Sequence, residues 1–336
     1  MKILHFCLFL LFLLAAFTGA GLLLQKKDAL PEGAFGQKLS YFRDHGQEYD
    51  VVFIGNSRTY RQIDAPAMEH VCPRLKIFNF GIQNLMLEEM DFIVDWVKRY
   101  GKKNVEIIVS EPSPAMNNFK QMQSDRLVYF SSLPHLQRRF ENIWTYNEPV
   151  HKKIYRSAVA LYGTFYAGTH IGQLGKKLFP DAYKAAAEED KDAIGMPESA
   201  AENEGYFSLD AHAKTNSYIY ARQTSYFRKF DAEHRAEAAK QVFAPVRVSI
   251  FNRYYDGSKI GFFMPPTPSR FEADAEMEKH LHEKNKEAVI LNMNDQRAFP
   301  QLFEADRWFD EGHLNETGAW EMSEMIAQEL CTDVIH

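Results

Sequence analysis

The run from Val51 to Arg61 (VVFIGNSRTYR) constrains the fold more than any other stretch. Val51–Ile54 is an unbroken apolar cluster rich in β-branched residues, the composition of a central strand buried on both faces. Gly55-Asn56 ends it with turn residues, the glycine suited to a positive φ. In open α/β sheets ligands bind just outside the carboxyl ends of the strands, and Ser57 falls there. Two readings of Ser57 follow. It caps a helix or closes a turn, or it is a nucleophile, which requires a base elsewhere in the chain. Thr59 stands where a G-x-S-x-G elbow has its second glycine, so the turn is not the α/β-hydrolase one.

The strand-then-helix alternation continues. Ile63–Pro66 reads as a turn into a short helix, with Asp64 as N-cap and Pro66 in the first turn. Leu75–Phe80 (LKIFNF) predicts a second strand, closed by Gly81, with Asn84 three residues on. Leu87–Tyr100 places Met90, Ile93, Val94 and Val97 on one helical face, and Gly101 stops it. Val105–Val109 predicts a third strand that exits through Ser110-Glu111-Pro112-Ser113-Pro114. From Ala115 to about Val246 the alternation stops. Helical stretches are predicted within Leu127–Phe140, Val150–Leu178 and Phe230–Phe243, and a mobile loop over Tyr183–Gly205. Lys259–Met264 is a fourth strand, Arg270–Glu287 a charged helix and Ala288–Met293 a fifth strand. The final helix runs from Glu316 to Leu330, capped by Asn315, with Ala319, Met322, Ile326 and Leu330 inward. This order predicts an α/β fold with a parallel, doubly wound sheet. The expected division is a membrane segment over 1–25, a polar stalk over 26–48 in which Leu39–Phe42 begins a short helix, a core over 49–114 and 247–336, and a helical insertion over 115–246.

The membrane segment rests on Ile3–Leu24, which is nearly all apolar. At 1.5 Å per residue such a helix crosses a hydrocarbon core of about 30 Å. A cleaved signal peptide and an uncleaved signal anchor both fit, and the length of the run favours the anchor. Lys2 before it and Lys26 and Lys27 after it leave the orientation open. A formal charge of −6 offers no basic patch for nucleic acid. Cys72 and Cys331 are the only cysteines beyond the N-terminal segment; two separate buried thiols are the expectation, with one bridge the alternative for an exported domain. His280-x-His282 lies in a Glu/Lys-rich stretch and reads as a solvated helix face, and no Cys/His spacing suits zinc. No glycine-rich phosphate loop is present, so neither metal nor nucleotide cofactor is expected.

The base that Ser57 requires is offered near the other end. Asp310 and His313 stand three apart in a glycine-containing loop before the last helix (FDEGHLN). At that spacing the carboxylate can hold Nδ1 of the imidazole and leave Nε2 to accept a serine proton. A surface Asp and His also fall at this spacing by chance; position after the fifth strand, on the expected edge of Ser57, is what distinguishes them.

These blocks together resemble the SGNH (GDSL-like) hydrolase superfamily. Gly55-Asn56-Ser57 matches its serine turn, Gly81 the glycine after the second strand, and Asp310-x-x-His313 with Leu314-Asn315-Glu316-Thr317-Gly318 its last block. The resemblance covers about Asp50–Pro114 and Lys259–Leu330, and it implies a three-layer, flavodoxin-like parallel-sheet core with a large, mostly helical insertion. It departs at the third block, G-x-N-D, whose asparagine donates to the oxyanion. Here the third strand ends in Ser110-Glu111-Pro112-Ser113, leaving Asn117 or Asn118 as substitutes.

That departure, the N-terminal span and the Arg58 after Ser57 resemble the membrane-tethered branch related to alginate O-acetyltransferases and D-alanyl transfer proteins. The resemblance implies an extracytoplasmic, single-pass protein that moves an acyl group, acetyl above all, to or from a cell-surface glycan or polymer, beside a multi-pass membrane O-acyltransferase. It implies Ser57 as nucleophile, His313 as base, Asp310 as its orienter, and backbone amides of Ser57 and Gly81 in the oxyanion hole. A secreted carbohydrate esterase and a non-catalytic scaffold of an acyltransferase complex are the other two readings. Arg58, Asn84, Glu111 and Arg270 are further candidates for substrate contact, with Arg58 equally suited to pair with a nearby carboxylate and Glu111 to serve as a turn residue before Pro112. Tyr206, Phe207, Tyr218, Tyr220, Tyr226 and Phe227 read as core aromatics or as a sugar-stacking surface.

Overall fold

The structure, a computed structural model, describes residues 5–6, 8–13, 15–16, 34–85, 87–110, 133–145, 149–168, 203–213, 260–267, 271–284, 288–310 and 312–333. The chain divides into two compact units. One comprises Met1–Gln37 and Pro114–Gly195, the other Lys38–Ser113 and Met196–His336.

The second unit contains a five-stranded parallel sheet. Its strands are β1 (Val51–Gly55), β2 (Ile77–Gly81), β3 (Glu106–Ser110), β4 (Ile260–Met264) and β5 (Ile290–Asn292), in the order β2-β1-β3-β4-β5. All pairs are parallel, with Val51 opposite Ile77 on one side and Glu106 on the other. The α/β expectation and all five strands are thus found. The reversal of strand order beside β1 puts its carboxyl end at a crevice of the sheet, the usual place for a ligand in such folds.

Alternation along β1 divides its side chains between two layers. Val51 and Phe53 join one apolar cluster with Met68, Ile108, Phe263, Leu291, Trp308, Met322 and Ile326. That layer is roofed by α3 (Ala65–Val71) and α9 (Glu316–Asp333), whose Ala319, Met322, Ile326 and Leu330 are all buried as the period predicts. Asn315 Oδ1 accepts from Gly318 N–H at 2.9 Å and Asp64 Oδ1 from Ala67 N–H at 3.1 Å, so both expected caps form. The opposite layer includes α4 (Leu87–Tyr100), with Met90, Ile93, Val94 and Val97 buried, and α1 (Ala34–His45) from Lys38 on. There Phe42, Tyr49, Phe78 and Phe80 pack ring on ring at 5.0–6.0 Å.

Several expectations are corrected. Within the stretch read as a stalk, 26–48, the short helix expected at Leu39–Phe42 is the longer α1, and Leu39 and Phe42 are fully buried in the sheet's unit rather than set in a free stalk. Cys72 and Cys331 are not separate thiols: they form a disulfide, their Cα atoms 6.0 Å apart, which joins the end of α3 to the last turns of α9. Gly55 does not have a positive φ. It is needed for space, since a Cβ there would fall on Ser110 Oγ and Thr59 Oγ1. Residues 203–205, expected in a mobile loop, form a turn fixed to the sheet edge: Asn79 N–H donates to Glu204 O at 2.9 Å, and Tyr49 Oη donates to the Glu204 carboxylate. A short helix, α7 (Leu209–Ala213), follows that turn; the rest of the predicted loop and the predicted helix over Phe230–Phe243 lie outside the described residues.

In the first unit, α5 (Leu133–Thr145) packs against α6 (Val150–Gly168). The N-terminal apolar segment is described at 5–6, 8–13 and 15–16, where it is helical. Among the described residues no helix is long and apolar enough to cross a membrane.

Candidate active site

Ser57 opens α2 (Ser57–Gln62), a six-residue helix directly after β1. Asn56 is its N-cap, with an extended backbone and Oδ1 accepting from Arg58 N–H at 3.0 Å. A serine at the first helical position thus projects from the carboxyl edge of the central strand.

The D-x-x-H segment is not a plain loop. Trp308–Asp310 (β6) and His313–Leu314 (β7) form a small antiparallel hairpin in which Asp310 and His313 are direct partners. Its base is pinned where the Trp308 indole N–H donates to Leu302 O at 2.9 Å and Asn315 N–H to Arg307 O at 2.9 Å. The hairpin brings together residues 256 apart in the sequence. His313 Nε2 lies 2.9 Å from Ser57 Oγ, and His313 Nδ1 lies 2.8 Å from Asp310 Oδ1. Asp310 is 1 % exposed, and the same Oδ1 accepts from Gly312 N–H at 2.8 Å. An ionised carboxylate only accepts, so it selects the tautomer with hydrogen on Nδ1 and leaves the Nε2 lone pair facing the serine. This is a base aligned on an alcohol, the geometry that activates a serine nucleophile.

Two residues that sequence reasoning did not assign in this way fix the hairpin to α2. Gln62 Nε2 donates to Gly312 O at 3.1 Å and Arg58 Nε to the same oxygen at 3.3 Å. Arg58, a candidate for substrate contact, therefore also holds the loop that carries His313.

Below Ser57 lies a buried polar network that was missed. Asn79, in the middle of apolar β2, donates through Nδ2 to Ile63 O at 2.7 Å and Thr59 O at 2.9 Å. Its Oδ1 accepts from Gly81 N–H at 2.8 Å, so this expected oxyanion donor is already engaged. Lys38, 1 % exposed, donates to Asn79 O and Gly81 O, each at 2.8 Å, and its Nζ stands 4.3 Å from the Tyr60 ring centre. Burial, and then the nearby Arg61 charge, hold its pKa well below the ordinary lysine value. The polar asparagine inside Ile77-Phe78-Asn79-Phe80 was the signal for this network; nothing in the sequence flagged Lys38.

The other candidates divide. Asn84 is exposed with φ 51° in the turn after β2, and among the described residues it makes no hydrogen bond to the triad. Glu111, Arg270, Asn117, Asn118, Tyr218, Tyr220, Tyr226 and Phe227 lie outside the described residues. Tyr206 is buried, as a core aromatic would be, and burial raises its phenol well above the ordinary value, with nearby Asp64 adding to the shift. Arg61 stacks 5.2 Å from the Phe207 ring and donates to Phe207 O at 3.2 Å. His282 lies 3.9 Å from Glu278 on α8 (Phe271–Lys284), and among the described residues no group of three or more His, Cys, Asp or Glu is arranged to hold a metal. No protein-family model, curated protein or solved structure matches the chain.

Proposed function

We propose that the chain is a serine-dependent O-acyltransferase or esterase of SGNH type, tethered to a membrane and acting on a cell-surface glycan or polymer. The observation that carries this reading is the continuous relay Ser57 Oγ–His313 Nε2, His313 Nδ1–Asp310 Oδ1, with separations of 2.9 and 2.8 Å. Ser57 Oγ attacks an acyl carbonyl as its proton passes to His313 Nε2. The acyl bond to the donor oxygen breaks, that oxygen leaves with the proton, and a Ser57 ester remains. A sugar hydroxyl, or water, then attacks the ester, gives its proton to His313, and Ser57 is regenerated with that proton.

The Ser57 amide is the first of α2 and has no acceptor within its own helix, which suits it to the developing oxyanion. Gly81 N–H contributes only if Asn79 Oδ1 releases it. Two features support the location. Phe6 and Leu8–Phe12 are 48–68 % exposed, apolar side chains suited to lipid rather than water. The Cys72–Cys331 bridge suits an oxidising compartment. A multi-pass membrane O-acyltransferase is the proposed source of the acyl group. The proposed chemistry needs no metal or nucleotide.

Intact mass after incubation with an activated acyl ester tests the reading, with Ser57→Ala beside the native chain. An adduct of one acyl group that requires Ser57 is the expected result; a folded native protein with neither adduct nor ester hydrolysis refutes it. A second reading, a non-catalytic scaffold, is favoured by the engaged Gly81 amide and the missing third-block asparagine. Under it, Ser57→Ala leaves polymer acylation in cells intact.

A further inference from the structure

Helix α6 presents an apolar face outward. At 100° per residue, Val150, Ile154, Tyr155, Ala158, Leu161 and Tyr162 fall within an arc of about 140°, and every one of them is exposed. Val150 is 61 %, Ile154 58 % and Leu161 51 % exposed, whereas Val159 and Ala160, on the other side, are buried with Ile143 of α5. A globular helix normally does the reverse. Trp144, at the end of α5, is 51 % exposed, with Lys153 Nζ 5.7 Å from its ring centre and donating to its carbonyl at 3.0 Å.

We infer that this face docks on the interfacial zone of an anionic phospholipid bilayer. Three observations select lipid. The α5–α6 segment, 133–168, carries five Lys/Arg against two Glu in a chain of net charge −6, so its charge complements an anionic surface. Two tyrosines and a tryptophan border the aliphatic stripe, the amphipathic rings that favour the headgroup level. Finally, the helix belongs to the same compact unit as the N-terminal segment, whose described apolar side chains are exposed as well. The inference rests on the membrane-tethered part of the reading above and is independent of its chemistry.

The test uses the full chain in phosphatidylcholine–phosphatidylglycerol vesicles containing acyl-brominated lipid. The chain has four tryptophans, and Trp144→Phe identifies the share of the emission that is Trp144's. Bromolipid should quench that share, and Ile154→Asp with Leu161→Asp should abolish the quenching while the chain still floats with the vesicles. Both positions are exposed, so neither change enters the core. Retained quenching in the double variant overturns the proposal. So does Trp144 open to iodide and untouched by bromolipid, which places the face in water. Shielding from both quenchers assigns the face to a protein partner or a second copy and overturns it too. Failure of the native chain to float overturns tether and docking together, whereas the Ser57 adduct, measured on the same samples, reports the chemistry separately.

Discussion

Asp64→Asn isolates one buried charge beside the site. Asp64 stands two residues after α2 and caps α3, its own N–H donating to Ser323 Oγ at 2.8 Å. Burial is the main reason its pKa is raised from 3.8 to about 6; the Ala67 N–H bond works against the shift and the Glu316 charge adds to it. The raised value means that the folded state holds the proton more tightly than the unfolded chain. The stabilising contribution is therefore complete below about pH 4 and is lost as pH rises through about 6. A shift of about two units at 1.36 kcal/mol each makes the ionised residue cost roughly 3 kcal/mol at neutral pH.

Asparagine keeps an oxygen for the Ala67 N–H and cannot ionise. Urea unfolding of both proteins, disulfide intact, from about pH 4 to about pH 8 gives the comparison. The difference between the two isolates Asp64 from every other titration. The variant should match the native protein near pH 4 and exceed it by about 3 kcal/mol near pH 8, with the gap opening between them. A pH-independent gap, or a variant less stable at neutral pH, would refute the argument. The Ser57 adduct should form in both proteins, because no triad contact involves Asp64.

Three further outcomes are expected. Asp310→Ala removes the acceptor of both His313 Nδ1–H and Gly312 N–H, so the rate of Ser57 acylation, read by time-resolved intact mass, should fall about 10⁴-fold. Gln62→Ala releases one of the two side chains on Gly312 O; a misplaced base should slow acylation on the order of 10- to 100-fold with the far-UV spectrum unchanged, and Gln62→Glu, which cannot donate when ionised, should not rescue it. Reducing the Cys72–Cys331 bridge frees a loop of 259 residues in sequence separation, and the urea-derived stability should drop by about 2–5 kcal/mol.

The parts that were legible in the sequence are those written in local pattern. Continuous apolar runs marked β1 to β5, a 3.6-residue period marked α4 and α9, and Asp64 and Asn315 announced their helices. Asp310 and His313 could be paired because three residues separate them. What was not legible depends on long-range contact. Cys72 and Cys331 stand 259 apart, and no spacing rule links them. Lys38 was read in a polar stalk because its acceptors, the carbonyls of Asn79 and Gly81, lie about forty residues away and carry no side-chain signature. The 203–205 turn was read as mobile from composition, although β2 is an edge strand whose free Asn79 N–H needs an acceptor and finds Glu204 O.

The buried network explains how so short a helix can hold Ser57 in place. Six residues are far too few for a stable helix in isolation, and α2 leaves orphan groups at both ends. At its start Asn56 Oδ1 takes the Arg58 N–H. At its end the Asn79 carboxamide donates to Thr59 O and Ile63 O, so the strand caps the helix from outside. Gly81 completes the fit, since a Cβ there would strike the Tyr60 backbone. Lys38 in turn binds the two strand carbonyls that flank this contact. Each step fixes the next, from α1 through the exit of β2 to α2 and so to Ser57. The position of the serine is thus set by the sheet edge rather than by helix propensity. Thr59 O already accepts the Ile63 N–H at 3.1 Å, so the Asn79 carboxamide adds a second donor there and supplies one to Ile63 O, which keeps a polar side chain in the buried strand fully paired.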